Sequence, residues 1–243
     1  MIRVVFFDLD GTLRQNLPSG GEFFADYAIQ LGLAATSEDR LRAIRWEHFY
    51  WANSTELKAD RLAYREDKLF WNAYARRQLV ALGASNQQAD DLASKVTEYM
   101  SQAYKPTSVV PQDVRRLLPA LKDGGYRLGV LSNRDKPFQQ EMEELGIAQF
   151  FELALAGGEV SMWKPEPYLF VHACERLKVL PTEAMYVGDN YFADVIGARR
   201  AGLEPVLYDP RGVFPDPDCA SIQSFDELEG ILHADGRTPI ALG

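Results

Sequence analysis

Cysteine is nearly absent from this chain: Cys174 and Cys219 are the only two in 243 residues. That argues against a disulfide framework and leads to the expectation of a reducing, cytoplasmic setting, with both thiols as small core filler. Histidine is almost as scarce, and His48, His172 and His233 are too scattered for a metal trio. No apolar run approaches the length of a membrane span. The run Val4-Val5-Phe6-Phe7 is too short for a signal-peptide core, so none is expected. No block of Lys and Arg is present either; 26 basic residues face 35 acidic ones, for a formal charge of -9. Nucleic acid and anionic membrane are therefore not expected as partners. A phosphorylated small molecule stays open, because local cations rather than net charge decide its binding. There is no repeat or low-complexity tract. What remains is a chain that is 47% hydrophobic, enough to bury a full core in one domain or two.

The most informative stretch is Val4-Val5-Phe6-Phe7-Asp8-Leu9-Asp10-Gly11-Thr12. Its apolar run does not alternate and reads as a strand buried on both faces, parallel in type. Asp8 and Asp10 then fall at the C-terminal end, where open α/β sheets place their ligands. Gly11 lets the chain curl both carboxylates towards one crevice. A calcium loop is excluded by spacing. With Asp8 as position 1, Leu13 stands at the required glycine and Ser19 at the bidentate glutamate. A turn carrying solvated aspartates is the remaining plain alternative.

Past Thr12 the strand signal vanishes for nearly a hundred residues. Phe23, Phe24, Tyr27, Ala28 and Leu31 recur at helical spacing over 22–33. Ser37 is the expected cap of a second helix, and 56–82 reads as one long helix with Leu62, Leu69, Ala73 and Val80 on a stripe. Gly83 ends it, and Ser85 with Gln88 forms a capping-box pattern before a fourth helix. From Pro111 onward, strands alternate with helices, which predicts a parallel sheet covered on both faces. The expected strands are 126–131, 153–156, 185–187 and 205–208. The Pro-rich stretch 209–217 reads as a surface connection.

Polar groups fall at four of the expected strand or loop ends: Asp8 and Asp10, Ser132, Lys164, and Asp189 with Asp194. Singly, each has an ordinary explanation. Ser132 reads as a turn serine, Lys164 as a solvated lysine, and Asp189 and Asp194 as helix caps. Together, in this order and at one edge of one sheet, they read as a site.

In these motifs the chain closely resembles the haloacid dehalogenase-like superfamily. The matching segments are Asp8-Leu9-Asp10-Gly11-Thr12, Leu131-Ser132-Asn133, Lys164-Pro165, and Gly188-Asp189-Asn190-Tyr191-Phe192-Ala193-Asp194. The resemblance implies an α/β fold: a doubly wound parallel-sheet, Rossmann-like core over 1–14 and 107–243, and an inserted all-helical cap over 15–106. It implies a phosphatase of small soluble phosphomonoesters. Asp8 is then the nucleophile that carries an aspartyl-phosphate, and Asp10 the general acid/base. Mg2+ is the implied cofactor, held by Asp8, the backbone carbonyl of Asp10, and Asp189, with Asp194 completing the shell or orienting Lys164. Lys164, Ser132, Asn133 and Thr12 are placed at the phosphate, Thr12 also positioning Asp10. Dehalogenases of the superfamily lack the second aspartate of the first motif; its presence here favours phosphoryl transfer.

A phosphomutase would use the same nucleophile and stays an alternative. A phospho-accepting receiver module is disfavoured by its shorter length and by the helical insert. In the insert, Trp46, Phe49, Tyr50 and Trp51 form an aromatic group that reads either as helix core or, with Arg45 and Asn53, as a substrate mouth. Trp51 and Asn53 are the candidates taken forward. The insert is expected to act as a lid. Arg134, beside the second motif, reads as near the phosphate or as an ordinary surface residue. Oligomeric state is expected to be monomer or homodimer.

Overall fold

The computed structural model describes residues 1–234; the expected end of the core, 235–243, and the His233 side chain lie outside the described residues. The chain divides into two compact units. One is formed by Met1–Gln15 together with the chain from Val109 onward, the other by Asn16–Ser108.

The first unit opens with β1 (Val4–Phe7), whose four side chains are all fully buried. Val5 and Phe7 point into one core, Val4 and Phe6 into another, as strand alternation demands. Each such buried side chain contributes roughly 1.5–3 kcal/mol, which helps offset the cost of burying the charges that follow. The chain then passes through β2 (Gln15–Leu17) into the second unit and returns through β3 (Thr107–Val109), and these two short strands pair with each other. They were not legible in the sequence, and they set the unit boundaries one and two residues beyond the expected 14/15 and 106/107.

The second unit is built from α1 (Gly20–Gln30), α2 (Ser37–Trp51), α3 (Thr55–Ala63), α4 (Asp67–Ala81) and α5 (Asn86–Ala103). The cap of α2 is Thr36, not Ser37: Asp39 at the third helical position returns a hydrogen bond to Thr36 and closes a capping box. The Ser85–Gln88 box on α5 is as expected. The long helix over 56–82 is in fact two, α3 and α4. Asp60 explains the break. It is buried and accepts from Arg77 at 2.9 and 3.1 Å and from the Tyr50 hydroxyl at 3.1 Å. In one continuous helix Asp60 and Arg77 would stand about 25 Å apart at 1.5 Å per residue. The fold-back also overturns the expected stripe: Leu62, Leu69 and Val80 are exposed, while Tyr74, Ala75, Gln78 and Leu79 are buried.

Back in the first unit the order is α6 (Gln112–Asp123), β4 (Arg127–Ser132), α7 (Gln139–Glu144), β5 (Leu153–Ala156), α8 (Gly157–Val160), α9 (Pro167–Arg176), β6 (Ala184–Gly188), α10 (Ile196–Ala201), β7 (Glu204–Tyr208), β8 (Ala220–Ile222) and α11 (Leu228–Ala234). Six strands form one sheet in the order β5-β4-β1-β6-β7-β8, and every recorded pairing is parallel. Residues of α6, α7 and α11 cover one face, and residues of α9 and α10 the other. Chain order runs outward from β1 through β4 to β5, then restarts at β6 on the other side. That reversal beside β1 makes a crevice at the C-terminal strand ends.

Candidate active site

Register builds the site. Phe7 is paired with Val130 on β4 and with Val187 on β6, so Asp8, Ser132 and Asp189 emerge together at the sheet edge. The Asp8 N–H donates to the Val187 carbonyl at 2.9 Å, which fixes the turn out of β1. Lys164 reaches in from the segment between α8 and α9. Its ammonium donates to Asp8 Oδ1 at 2.6 Å, to Asp194 Oδ1 at 2.7 Å and to the Tyr186 hydroxyl at 2.9 Å. Three donors meet three acceptors, in a place where Asp8, Lys164 and Asp194 are all buried. Tyr186 was not anticipated; its signal was a phenol inside an otherwise apolar strand, and its hydroxyl donates onward to the Leu131 carbonyl at 3.0 Å.

Asp194, read singly as a helix cap, is not one. It sits instead in a single π-helical turn, Tyr191–Val195, ahead of α10. Asn190 accepts from the N–H groups of Phe192 and Ala193, both at 3.0 Å, and donates its own N–H to Asp194 Oδ2 at 2.9 Å. The widened turn aims Asp194 back at Lys164. Two glycines make room. A Cβ on Gly11, whose φ is +90°, would lie 2.3 Å from Asp189 Oδ2, and one on Gly188 would lie 2.3 Å from Asp194 Oδ2.

Two expected phosphate contacts are otherwise engaged. Thr12 does not position Asp10; its buried hydroxyl donates to Asp189 Oδ1 at 3.1 Å and accepts the Asp189 N–H at 3.0 Å. The Asn133 side chain bridges the Lys164 backbone, donating to its carbonyl at 2.9 Å and accepting its N–H at 2.7 Å. Ser132 ends β4 at the edge, fully buried. Asp10 is held by Arg134 and Arg14, an arrangement the sequence left open for Arg134 and did not suggest for Arg14. In the helical unit Trp51 packs on Tyr50 and Tyr74 and donates to the Tyr74 hydroxyl at 3.4 Å, while Asn53 turns the chain between α2 and α3 at φ +55°. Cys174 and Cys219 are free thiols. Among the described residues no helix is long and apolar enough to cross a membrane.

The electrostatics point to what the site can hold. Burial pushes the Asp8 carboxyl well above the usual range; Lys164 opposes this, and Asp194, Asp189 and Asp10 add to it. Burial and the neighbouring Asp194 likewise push Asp189 up to about 7. Lys164 is held above its ordinary value because Asp194 and Asp8 outweigh its burial. At Asp10, burial is outweighed by the hydrogen bonds and charge of Arg134 and Arg14, which bring its carboxyl below the usual range. Carboxylate oxygens of Asp8, Asp189 and Asp194 lie within 4.8 Å of one another. Once all three are ionised, three carboxylates and one ammonium leave two negative charges, and the donors are all hard oxygens. That set fits a small divalent cation.

A pH effect on the metal-free protein follows. The folded chain keeps protons on Asp8 and Asp189 that the unfolded chain releases above about pH 4. The stabilising contribution of Asp189 is present below that pH and lost as pH rises through about 7; that of Asp8 is lost in the same direction as pH rises. Carboxyls held low, such as Asp39 at about 2, act in the opposite sense but are already ionised by about pH 5. Chelated protein is therefore expected to melt lower at about pH 8 than at about pH 5.5, and saturating Mg2+ should flatten the difference. Melting curves at both pH values check this; an equal loss with and without Mg2+ would assign the effect elsewhere.

Comparison with known proteins gives a consistent picture. A family model described as haloacid dehalogenase-like hydrolase matches residues 2–202. The chain is 31% identical over 237 residues to a glyceraldehyde 3-phosphate phosphatase of Methanopyrus kandleri, covering 94% of this chain and 93% of that one. It is 29% identical over 217 residues to a ribulose-1,5-bisphosphate 5-phosphatase of Halopiger xanaduensis, covering 86% of each. Among solved structures, a HAD phosphatase from Thermococcus onnurineus matches with a TM-score of 0.57 and 25% identity, over 95% of this chain and 98% of that one.

Proposed function

Because the chain belongs to the haloacid dehalogenase-like hydrolase family, we propose that it is a Mg2+-dependent phosphatase of a small phosphomonoester, acting through an aspartyl-phosphate on Asp8. The observation that carries this reading is the buried Asp8–Lys164–Asp194 group beside Asp189 and Asp10 at one sheet edge. Asp8, Asp189 and the Asp10 carbonyl would hold Mg2+, with Asp194 in direct contact or acting through Lys164. Bound there, the cation neutralises carboxylates and phosphate so that they can approach one another.

The chain's own groups account for the rest. An oxygen of Asp8 attacks phosphorus, and the bond from phosphorus to the ester oxygen breaks. Asp10 gives that oxygen its proton and the alcohol leaves. Water then attacks the phosphoryl group on Asp8, Asp10 takes its proton, and phosphate departs with Asp8 restored. The arginines keep Asp10 ionised, which is the form the second step needs. For the first, the negative phosphate arriving beside it raises that affinity. Ser132 donates to a phosphoryl oxygen, and Lys164 sets its positive charge beside the group.

Substrate choice is proposed to lie with the helical unit, through Trp51 and Asn53. The two free thiols support a reducing, cytoplasmic setting. Purified protein with Mg2+ is expected to release phosphate from several members of a panel of sugar phosphates, nucleotides, phosphoglycolate and pyridoxal phosphate, with one class leading in kcat/KM. Asn53→Ala and Trp51→Ala should reorder that ranking. An unchanged ranking with a lowered Tm would make both residues part of the helical core alone. Release of halide from haloacids with no ester hydrolysed would reverse the proposed chemistry.

A further inference from the structure

Asp10 is one corner of a closed ring of ion pairs. Arg134 grips it at two points, Nε to Oδ2 at 2.7 Å and Nη2 to Oδ1 at 2.7 Å. Arg14 adds Nη1 to Oδ1 at 2.5 Å. Both arginines continue to the same second carboxylate, Glu141 on α7. Arg14 Nε lies 2.7 Å from Glu141 Oε1, and Arg134 donates to Glu141 through Nη1 and, at 3.4 Å, through Nη2. The mounts are separate and firm. Asp10 and Arg14 belong to the turn after β1, locked by Gly11 N–H to Arg14 carbonyl at 2.8 Å and Arg14 N–H to Leu9 carbonyl at 2.9 Å. Arg134 leaves the end of β4 and also lies 5.8 Å from the centre of the Phe138 ring.

What such a ring is for follows from its charge. Two guanidinium groups face two carboxylates, so the ring is neutral, and both arginines are already matched to anions. Such a group exerts little pull on an incoming phosphate or substrate carboxylate. It sits at the half-exposed rim, where isolated ion pairs add little stability. A two-point guanidinium fork does something else well: it fixes the plane of a carboxylate. A loop aspartate otherwise turns about two side-chain bonds, and proton transfer falls off steeply when the carboxyl is misdirected.

We propose that Arg134, braced by Glu141, is a positioning residue for the reaction: it sets the Asp10 carboxyl in the orientation needed to exchange a proton with the leaving oxygen and with water. This rests on the acid/base role proposed above for Asp10. The test compares an alkyl phosphate, whose alkoxide must be protonated as it leaves, with p-nitrophenyl phosphate, whose phenolate leaves unaided. In Arg134→Gln, kcat/KM for the alkyl ester is expected to fall by about 10–100-fold, within the range that proton transfer supplies. The p-nitrophenyl ester should lose far less. Inhibition by inorganic phosphate should be unchanged. Arg134→Lys keeps the charge without the fork and should not restore the alkyl ester. Glu141→Gln should show the same selectivity in weaker form, with the fold checked by its melting curve. Equal loss for both esters, phosphate inhibition weakened in step with activity, or full rescue by Arg134→Lys would each overturn the proposal. Asp10→Asn is run beside them. If it keeps alkyl-ester turnover, the acid/base reading itself fails; if it loses turnover while Arg134→Gln does not, only the positioning role fails.

Discussion

Asp8→Asn is expected to abolish turnover, by at least about 10³-fold, while the protein folds and melts as before. The amide is nearly isosteric and keeps a carbonyl oxygen to accept from Lys164, which now reaches Asp8 at 2.6 Å. What it loses is a charge that the metal-free fold holds at a cost, since burial and the nearby Asp194 and Asp189 already push Asp8 towards its neutral form. Tm without metal should therefore stay level or rise. An amide has no oxygen able to displace an alcohol from phosphorus, so the loss should be the same for good and poor leaving groups. That uniformity separates Asp8 from Asp10, whose loss should fall hardest on poor leaving groups. Rapid quenching of the parent enzyme with a phosphate ester should show one phosphoryl group added to the peptide carrying Asp8, and none in the variant. Near-normal turnover in freshly prepared Asp8→Asn, shown by mass to be free of deamidation, would remove Asp8 as the nucleophile.

The parts of this molecule that could be read in the sequence are those where one residue type has few places to go. A run of four apolar residues ending in Asp8 and Asp10 has to be a strand leading out to a crevice, because neither charge can stay inside unpaired. The alternation after Pro111 marks the sheet for the same reason, and the strands at Leu153–Ala156 and Ala184–Gly188 fall within a residue of expectation. Three-residue strands such as Gln15–Leu17 and Ala220–Ile222 carry too little pattern to show. The break between α3 and α4 has no glycine or proline to announce it. It comes from the buried Asp60–Arg77 pair, whose partners are separated by 17 positions, and no local window contains both. The arginines around Asp10 escaped for a related reason. A long, flexible cation at a loop has many possible destinations, and only the packing of α7, which brings Glu141 up to Arg14 and Arg134, decides among them. Thr12, placed near Asp10 by the resemblance, turns its hydroxyl to Asp189, a partner 177 positions away that no local pattern names.

Exhaustive chelation is expected to silence the enzyme, and Mg2+ to restore it in full. The argument is one of charge. Carboxylate oxygens of Asp8, Asp189 and Asp194 gather within 4.8 Å. At that spacing each like-charged pair repels by roughly 3–4 kcal/mol for an effective dielectric constant near 20. Lys164 offsets part of this, but its ammonium is already shared between Asp8, Asp194 and Tyr186. A phosphate ester approaching an ionised Asp8 brings further negative charge to a site whose three carboxylates, once ionised, outnumber its one ammonium by two. A fall of at least about 10²-fold on chelation follows from a single such repulsion left unscreened. Calorimetric titration of the chelated protein should show one Mg2+ bound per chain, and Asp189→Asn should weaken that binding along with activity, since it removes one of the three oxygen donors. Beryllium fluoride or aluminium fluoride, which mimic a phosphoryl group on Asp8, should bind only when the metal is present. Undiminished turnover in protein shown by elemental analysis to be free of divalent metal would mean that Lys164 and the backbone alone carry the charge of the reaction, and the proposed role of Asp189 would fall with the metal.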